Sequence, residues 1–439
     1  MCSINRAWFR KIHLVFITGS FLWISVYETT AVAAENPGVA LGVDWLVNEV
    51  VSLNVGLTAE QLRAKAKKQL ISSAGALEDP RVTYSVAPFS IGDHIPSNFG
   101  NALGIRQTFQ LSQSVPWPGK RSLRTDQMQA TAEVAQFSVE QLRLNLVNQS
   151  RLLWAQWWYV NEALAANAEH MRLSAELRVV AETQYANGIG LQQDVLQVQA
   201  REVELQHQQI VLIQERRRLQ AQINHLLNQE PTTVLGPPLG EPVIPELPGR
   251  EVLERWLLES HPGLLSLEAE TNVARLNLRL TEKEDYPDVQ FNLGYNELWD
   301  ASSQRLQVGV SLNIPLDFGK RTSRKAAAEY EYSSKRLDIV NKRSQLMSEL
   351  ESQLSRFDQT LHGVQLIEAE LVSNLRQNVN ATLANYQSGG GNFYSLIEAQ
   401  AQLLDMELLL SSSYAEQFIT ISEINRLSGG QLWPQGVSE

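Results

Sequence analysis

Cysteine is almost absent from this chain of 439 residues, because Cys2 is the only one. Cys2 lies within the amino-terminal segment that is interpreted below as a signal peptide, so the chain that remains after its removal can form neither a disulfide nor a thiolate metal site. The seven histidines, at positions 13, 94, 170, 207, 225, 261 and 362, also lack the spacing of metal ligands. We therefore expect no cofactor and no resident metal, although a metal ion can still be cargo.

Catalytic and phosphate-binding motifs are missing as well. Gly119-Lys120-Arg121 lacks the glycine spacing and the following Ser or Thr of a phosphate loop. No nucleophile elbow is present either. We expect a protein that is not an enzyme. The formal net charge of −11 also argues against a nucleic-acid partner, which would favour a basic face.

Long apolar runs are confined to the amino terminus. A basic stretch contains Arg6, Arg10 and Lys11, an apolar core follows over residues 14–27, and small residues occupy 31–33. This order predicts a secretory signal peptide over residues 1–33. A retained membrane anchor is the weaker alternative, because the apolar core is short for a bilayer.

Glycine and proline are absent from residues 121–185, and residues 321–386 contain only Gly363. At about 1.5 Å per residue, each stretch predicts a helix roughly 100 Å long. Apolar side chains after the first stretch recur every seven residues, which predicts a coiled-coil seam. They are Leu191, Val198, Leu205, Leu212, Leu219 and Leu226. The aromatic cluster at 154–159 is interpreted as packing between such helices.

Three motifs of the sequence recur after about 200 residues. Val115-Pro116-Trp117-Pro118-Gly119-Lys120-Arg121 recurs as Ile314-Pro315-Leu316-Asp317-Phe318-Gly319-Lys320-Arg321. Upstream, Asp79-Pro80-Arg81-Val82 matches Tyr286-Pro287-Asp288-Val289. Downstream, Tyr185-Ala186-Asn187-Gly188 matches Tyr386-Gln387-Ser388-Gly389. Three landmarks in one order indicate two copies of one unit.

Each unit is predicted as strand, strand, long helix, tight turn and helix. The first covers 34–229, with strands at about 81–117 and a helical hairpin at about 121–228. The second covers 251–428, with strands at about 288–316 and a hairpin at about 321–426. A proline-rich linker, 230–250, joins them, and 429–439 is a tail. Helices at 57–77 and 250–284 are expected to stack end to end with the shorter returning helices.

The predicted strands alternate apolar and small polar residues. Val289, Phe291 and Leu293 alternate with Gln290 and Asn292, for example. A half-buried soluble sheet shows the same alternation. Strands of 9 to 11 residues with a small, neutral polar face favour a membrane barrel with a wet lumen instead. Because four strands cannot close a barrel, we expect a trimer that supplies twelve.

These features together resemble the TolC-like outer-membrane efflux factors over nearly all of the chain after residue 33. The resemblance is carried by Tyr185 to Gly188 with Asp194-Val195-Leu196, by Tyr386 to Gly389 with Leu396-Ile397, and by the two Gly-Lys-Arg corners. The segments 76–80 and 112–116 look closest to the CzcC-like, heavy-metal branch.

The resemblance implies a mostly α-helical homotrimer, with a twelve-stranded β-barrel in outer-membrane lipid and a helical tunnel in the periplasm of a Gram-negative bacterium. It also implies a periplasmic adaptor protein and an inner-membrane pump as partners. The pump would supply the energy. The expected function is the channel of a tripartite efflux system that exports metal cations or organic toxicants.

The two helical turns are the expected adaptor-docking tips. They consist of Gly188, Ile189, Gly190, Leu191, Gly389, Gly390, Gly391 and Asn392. A tight helical turn needs glycine for conformational reasons alone, so the glycines do not by themselves require docking. The resemblance further implies an acidic periplasmic gate, for which Asp194 and Glu398 are the candidates.

Two other function classes stay open. A trimeric surface adhesin with a coiled-coil stalk would usually keep its barrel strands at one end of the chain. A periplasmic enzyme would need a catalytic site, and the sequence has no recognisable one.

Overall fold

A computed structural model of the protein describes residues 40–87, 106–296, 305–316, 319–388 and 392–433. The predicted signal peptide, 1–33, lies outside the described residues. The fold is mostly helical, as predicted. Its helices are α1 Val43–Leu53, α2 Val55–Ala74, α3 Lys120–Ala186, α4 Gln192–Leu226, α5 Arg250–Ser260, α6 Pro262–Lys283, α7 Lys320–Leu366, α8 Ser373–Gln387 and α9 Phe393–Leu427. Its strands are β1 Arg81–Ala87, β2 Arg106–Val115, β3 Val289–Asn296 and β4 Leu306–Leu312.

The helix α3 runs without interruption for 67 residues, close to the length that the sequence predicts. α4 returns along it for 35 residues. The side chain of Asn54, between α1 and α2, donates a hydrogen bond of 3.4 Å to the carbonyl of Leu226, the last residue of α4. The end of α4 therefore meets the α1–α2 junction, and the shorter helices are stacked end to end beside α3.

The helices before the strands differ in part from the prediction. The helix α2 corresponds to the predicted helix 57–77, but α1 precedes it as an additional helix, and the predicted helix 250–284 is broken in two. Asn54 separates α1 from α2, and its side chain accepts a hydrogen bond from the backbone N–H of Leu57. His261 separates α5 from α6, which begins at Pro262. Both breaks have a local cause: an Asn side chain caps a helix start, and proline is tolerated only in the first turn.

The second long helix also differs from the prediction of one uninterrupted helix. A π-helix, Ile367–Val372, separates α7 from α8. It contains no glycine or proline. A π-helix keeps its backbone hydrogen-bonded and needs neither residue, so sequence patterns do not reveal it. No helix among the described residues is long and apolar enough to cross a membrane.

The four strands form one antiparallel sheet in the order β1-β2-β3-β4. Its register aligns residues of the same kind in rows across all four strands. One apolar row is Tyr84, Phe109, Tyr295 and Leu306, and the next is Val82, Leu111, Leu293 and Val308. The polar row between these two is Thr83, Gln110, Gly294 and Gln307. The sheet thus has one apolar face and one polar face.

The apolar face of the sheet is exposed. Val308 is 79% exposed and Val82 is 71% exposed. On the polar face, the side chain of Asn292 accepts a hydrogen bond from Gln110 and donates one to Ser311. The expected strand length of 9 to 11 residues is met only by β2, with 10, while the other strands have 7 or 8 described residues.

The aromatic cluster of α3 packs in the core, as predicted. Trp154 is 1% exposed, and its indole N–H donates to the carbonyl of Leu41 at 2.7 Å. The indole N–H of Trp157 donates to the carbonyl of Gly236 at 3.1 Å. Both indoles therefore fasten extended chain segments, including the proline-rich linker, onto the middle of α3.

Candidate functional site

The first helical turn is built around two glycines. Gly188 has φ of 73°, in the left-handed region, and its N–H donates to the carbonyl of Tyr185 at 3.0 Å. The N–H of Gly190 donates to the carbonyl of Gln184 at 3.0 Å. A Cβ added at Gly190 would lie 2.9 Å from the Cβ of Gln184. Glycine is thus required at 188 by backbone conformation and at 190 by close approach.

Two apolar side chains project from this turn. Ile189 is 76% exposed and Leu191 is 63% exposed. The turn geometry accounts for the glycines but not for these side chains, which contact little within the chain. An exposed apolar pair is the kind of surface that a protein partner covers.

The second turn falls mostly outside the described residues, since Gly389, Gly390 and Gly391 are not among them. Asn392 is described, and its side-chain oxygen accepts the backbone N–H of Tyr394 at 2.9 Å. This bond caps the amino terminus of α9. Tyr394 itself is 54% exposed.

The two hairpins pack on one another near their turns. Their shared cluster consists of Leu177 and Ala181 from α3, Val198 from α4, Tyr386 from α8, and Phe393 and Leu396 from α9. The rings of Tyr386 and Phe393 lie 4.9 Å apart between centroids. The two hairpins therefore share one apolar cluster near their turns.

Asp194 is buried in this region at 9% exposure, and its charge acts on Tyr386. Burial raises the pKa of the Tyr386 hydroxyl, and the negative charge of Asp194 raises it further. That hydroxyl has no hydrogen-bond partner among the described residues. Asp194 and the phenol of Tyr386 thus both lie near the apolar tip cluster, with no hydrogen bond from the phenol to any described residue.

Tyr386 was not identified as a site residue from the sequence. Its motif repeats at Tyr185, which is 49% exposed, whereas Tyr386 is 4% exposed. Equal motifs therefore give two different environments. One difference between the repeats is visible in the sequence near this site. Asp194 of the first repeat corresponds to Ser395 of the second, so the carboxylate occurs in one repeat only.

The second predicted gate residue lies in a different environment. Glu398 is exposed and accepts a hydrogen bond from the side-chain amide of Gln402 at 3.0 Å. The structure does not place it beside Asp194 in a common cluster. A gate formed by Asp194 and Glu398 stays a prediction.

A polar network links three helices above the tip cluster. His170 of α3 lies 3.3 Å from a carboxylate oxygen of Glu407 of α9, and Arg376 of α8 donates to the other oxygen at 2.9 Å. The hydrogen bond from His170 and then Arg376 lower the pKa of Glu407 against the effect of burial. Within the described ranges, no group of three or more His, Cys, Asp or Glu side chains could hold a metal ion.

Fold and tip together define a class: a duplicated chain whose two long helical hairpins carry a four-stranded sheet with an exposed apolar face. Residues 255–429, most of the second repeat, match the family model described as outer membrane efflux protein. The second repeat of the chain therefore carries an outer membrane efflux protein domain, and the chain as a whole is similar to proteins of the TolC-like efflux family. The resemblance predicted from the sequence is confirmed.

Individual relatives are distant. The cobalt-zinc-cadmium resistance protein CzcC of Cupriavidus metallidurans is 21% identical over 192 residues, which is 42% of this chain and 44% of that protein. The match therefore spans less than half the length of this relative. The outer-membrane channel OprN has a TM-score of 0.77 at 19% identity, covering 89% of this chain and 91% of OprN.

The outer membrane protein VceC of Vibrio cholerae has a TM-score of 0.75 at 16% identity, covering 88% of this chain and 96% of VceC. These TM-scores and coverages establish a common fold for nearly the whole chain, and at identities this low they establish the fold alone.

Proposed function

We propose that the protein is the outer-membrane channel of a tripartite efflux system, and that three copies form one duct. The proposal is supported mainly by the exposed apolar face of the sheet and by its two outer strands. Its apolar rows are exposed, and its outer strands β1 and β4 each have one neighbour. Unpaired strand edges are not tolerated in lipid, so a sheet of this kind must close with further strands. Three copies supply the twelve strands of one barrel.

The helical hairpins then extend into the periplasm and form the tunnel wall. Their apolar tip residues Ile189 and Leu191 contact a periplasmic adaptor, which links the duct to an inner-membrane pump. Asp194 and Glu398 act at the periplasmic constriction, where carboxylates from three copies attract cations. The pump provides the energy, since the chain offers no recognisable nucleotide site.

The cargo that we propose is a divalent metal cation, with organic toxicants as the second candidate. The metal assignment is supported by the likeness to a cobalt-zinc-cadmium resistance protein over 42% of this chain. A wide wet tunnel selects weakly, so cargo choice would belong mainly to the pump.

The experiment is a deletion strain tested for growth in cobalt, zinc and cadmium and, separately, in organic toxicants. Loss of resistance that the intact gene restores is expected, together with a heat-resistant trimer in the outer-membrane fraction. A protein found as a soluble monomer would contradict the duct. Unchanged resistance to every compound, with a trimer present, would contradict the efflux role only.

A further inference from the structure

Positive charge is concentrated where the long helices begin, directly below the sheet. The pattern Gly-Lys-Arg-x-x-Arg starts α3 at Gly119 and recurs at Gly319, where α7 starts. Neither helix has an acidic residue in its first turn. The amino terminus of a helix carries the positive end of its dipole, so cations there are unfavourable for the helix itself. At the start of α3 they are held by partners within the chain: Lys120 donates to Asp288 at 2.8 Å, and Arg121 donates to the carbonyl of Gly75 at 2.7 Å.

Much of the charge on α7 is used within the chain. Arg324 lies 3.3 Å from Glu284 and Lys325 lies 3.7 Å from Glu282, measured between charged atoms. Arg321 lies 3.9 Å from Asp285. The carboxylates at the end of α6 are therefore engaged by α7.

Two cations of α6 are left on the side that faces α3. No ion pair or hydrogen bond joins Arg279 to another described residue, and its side chain is exposed. The ammonium of Lys283 lies 5.0 Å from the ring centroid of Tyr286. Both cations line an open cleft of about 580 Å³ with Gly119 and Ser122 of α3. Glu282 and Asp285 also border the cleft, but the cations of α7 offset their charge.

An aromatic pair marks the upper rim of this cleft. Tyr286 stacks on Trp117, with ring centroids 5.3 Å apart and planes at 18°. Trp117 continues the apolar alternation of β2, so it lies below the exposed apolar rows of the sheet. Trp and Tyr are enriched where hydrocarbon meets lipid headgroups, because their rings are amphipathic. The cleft is therefore at headgroup level if the sheet spans a membrane.

We propose that Arg279 and Lys283 bind the phosphate of an anionic phospholipid in the periplasm-facing leaflet, whose acyl chains lie against the apolar face of the sheet. The proposal rests on the proposed position of the sheet in the outer membrane. Cations beside an exposed apolar surface match a molecule with an anionic head and apolar chains. Each such cation typically strengthens binding to an anionic membrane about fivefold.

The test uses the purified full-length trimer in nanodiscs of phosphatidylcholine with a minor fraction of phosphatidylglycerol. Native mass spectrometry measures which lipid stays bound. We expect enrichment of phosphatidylglycerol over its bulk fraction. Arg279→Gln with Lys283→Gln should lower this preference about tenfold or more, because two cations are lost. Arg279→Lys with Lys283→Arg should retain it.

The matched control removes two exposed cations from the middle of α4, Arg216→Gln with Arg217→Gln, and should leave the preference unchanged. Heat resistance of each trimer checks the fold. The proposal would be overturned if the wild type does not enrich phosphatidylglycerol. It would also be overturned if the variant with both glutamines enriches that lipid as strongly as the wild type does. Equally tight binding of soluble glycerol phosphate would also overturn it, since a lipid would not be required. A chain that enters no membrane would instead refute the proposed function.

Discussion

His261 is a buried histidine at the junction of α5 and α6, and neither of its ring nitrogens has a hydrogen-bond partner among the described residues. Burial, and after it the positive charges of Arg426 and Lys342, together lower its pKa to about 4. The folded protein therefore keeps this imidazole neutral at pH values at which the unfolded chain would protonate it.

This difference predicts a loss of stability in acid. With a pKa of 6.5 in the unfolded chain, the unfolded state binds the proton first, so stability falls as the pH drops from about 6.5 to about 4. The full loss corresponds to roughly 3 kcal/mol per protomer. His261→Gln should flatten this part of the curve of melting temperature against pH. His207→Gln, at an exposed position, should not. Parallel curves for His261→Gln and wild type would contradict the assignment.

The proposed gate requires that the Asp194 carboxylate, 9% exposed within one chain, still attracts ions in the constriction. If three Asp194 carboxylates face the constriction, Asp194→Asn should lower the cation-over-anion permeability ratio in single-channel recordings. Glu398→Gln should do the same. Both effects should be several-fold at about 0.01 M salt and small at about 1 M, where the Debye length falls from about 30 Å to about 3 Å.

The matched control is Glu204→Gln, which removes an exposed carboxylate from the side of α4. Its permeability ratio should equal that of the wild type. If Asp194→Asn and Glu398→Gln also leave the ratio unchanged at low salt, the acidic gate is wrong.

The elements differ in how clearly their sequences identify them. α3 was predictable because 67 residues without an internal glycine or proline allow little else. α1 was missed, since its 11 residues show too few turns for a clear period. The π-helix has no breaker residue to announce it. The glycines of the first turn were predicted, but burial of Tyr386 depends on packing between two hairpins that lie 200 residues apart in sequence, and local patterns carry no such information.

The first helical turn makes a prediction about adaptor docking. Ile189→Ser with Leu191→Ser removes two exposed apolar side chains without disturbing either glycine, so the turn should keep its conformation. We expect adaptor binding to weaken by about 2 kcal/mol or more, the loss typical of apolar anchor residues. Pull-down of the adaptor and growth under toxicant measure it, with trimer level as the check on folding.

Leu239→Ser with Val243→Ser is the matched control, because these linker side chains are 61% and 76% exposed. It should leave both adaptor binding and resistance unchanged. If the Ile189→Ser, Leu191→Ser variant binds the adaptor as well as the wild type does, the first turn is not part of the docking surface.

At the scale of the whole molecule, the duplication specifies how copies should meet. β2 and β3 join the two repeats within one chain, with Ser112 opposite Asn292. The repeat motifs place Val82 at the position of Val289 and Ile314 at that of Val115. By these matches Ser311 of β4 corresponds to Ser112, and Ser85 of β1 corresponds to Asn292. If β4 pairs with β1 of the next copy as β2 pairs with β3, Ser311 lies opposite Ser85 of that copy. A barrel that closes through equivalent contacts therefore has a defined register between copies.

Disulfide trapping tests this register, because no cysteine occurs after Cys2. Ser85→Cys with Ser311→Cys should give covalent trimers under mild oxidation, since directly opposed residues have Cα atoms about 5.5 Å apart. Arg81→Cys with Ser311→Cys, offset by four residues or roughly 13 Å, should give none. Both variants remove a side chain from the polar face, so the comparison isolates distance. Cross-linking only within one chain would contradict the pairing of β4 with β1 of another copy. Cross-linking only in the offset pair would contradict the predicted register of that pairing.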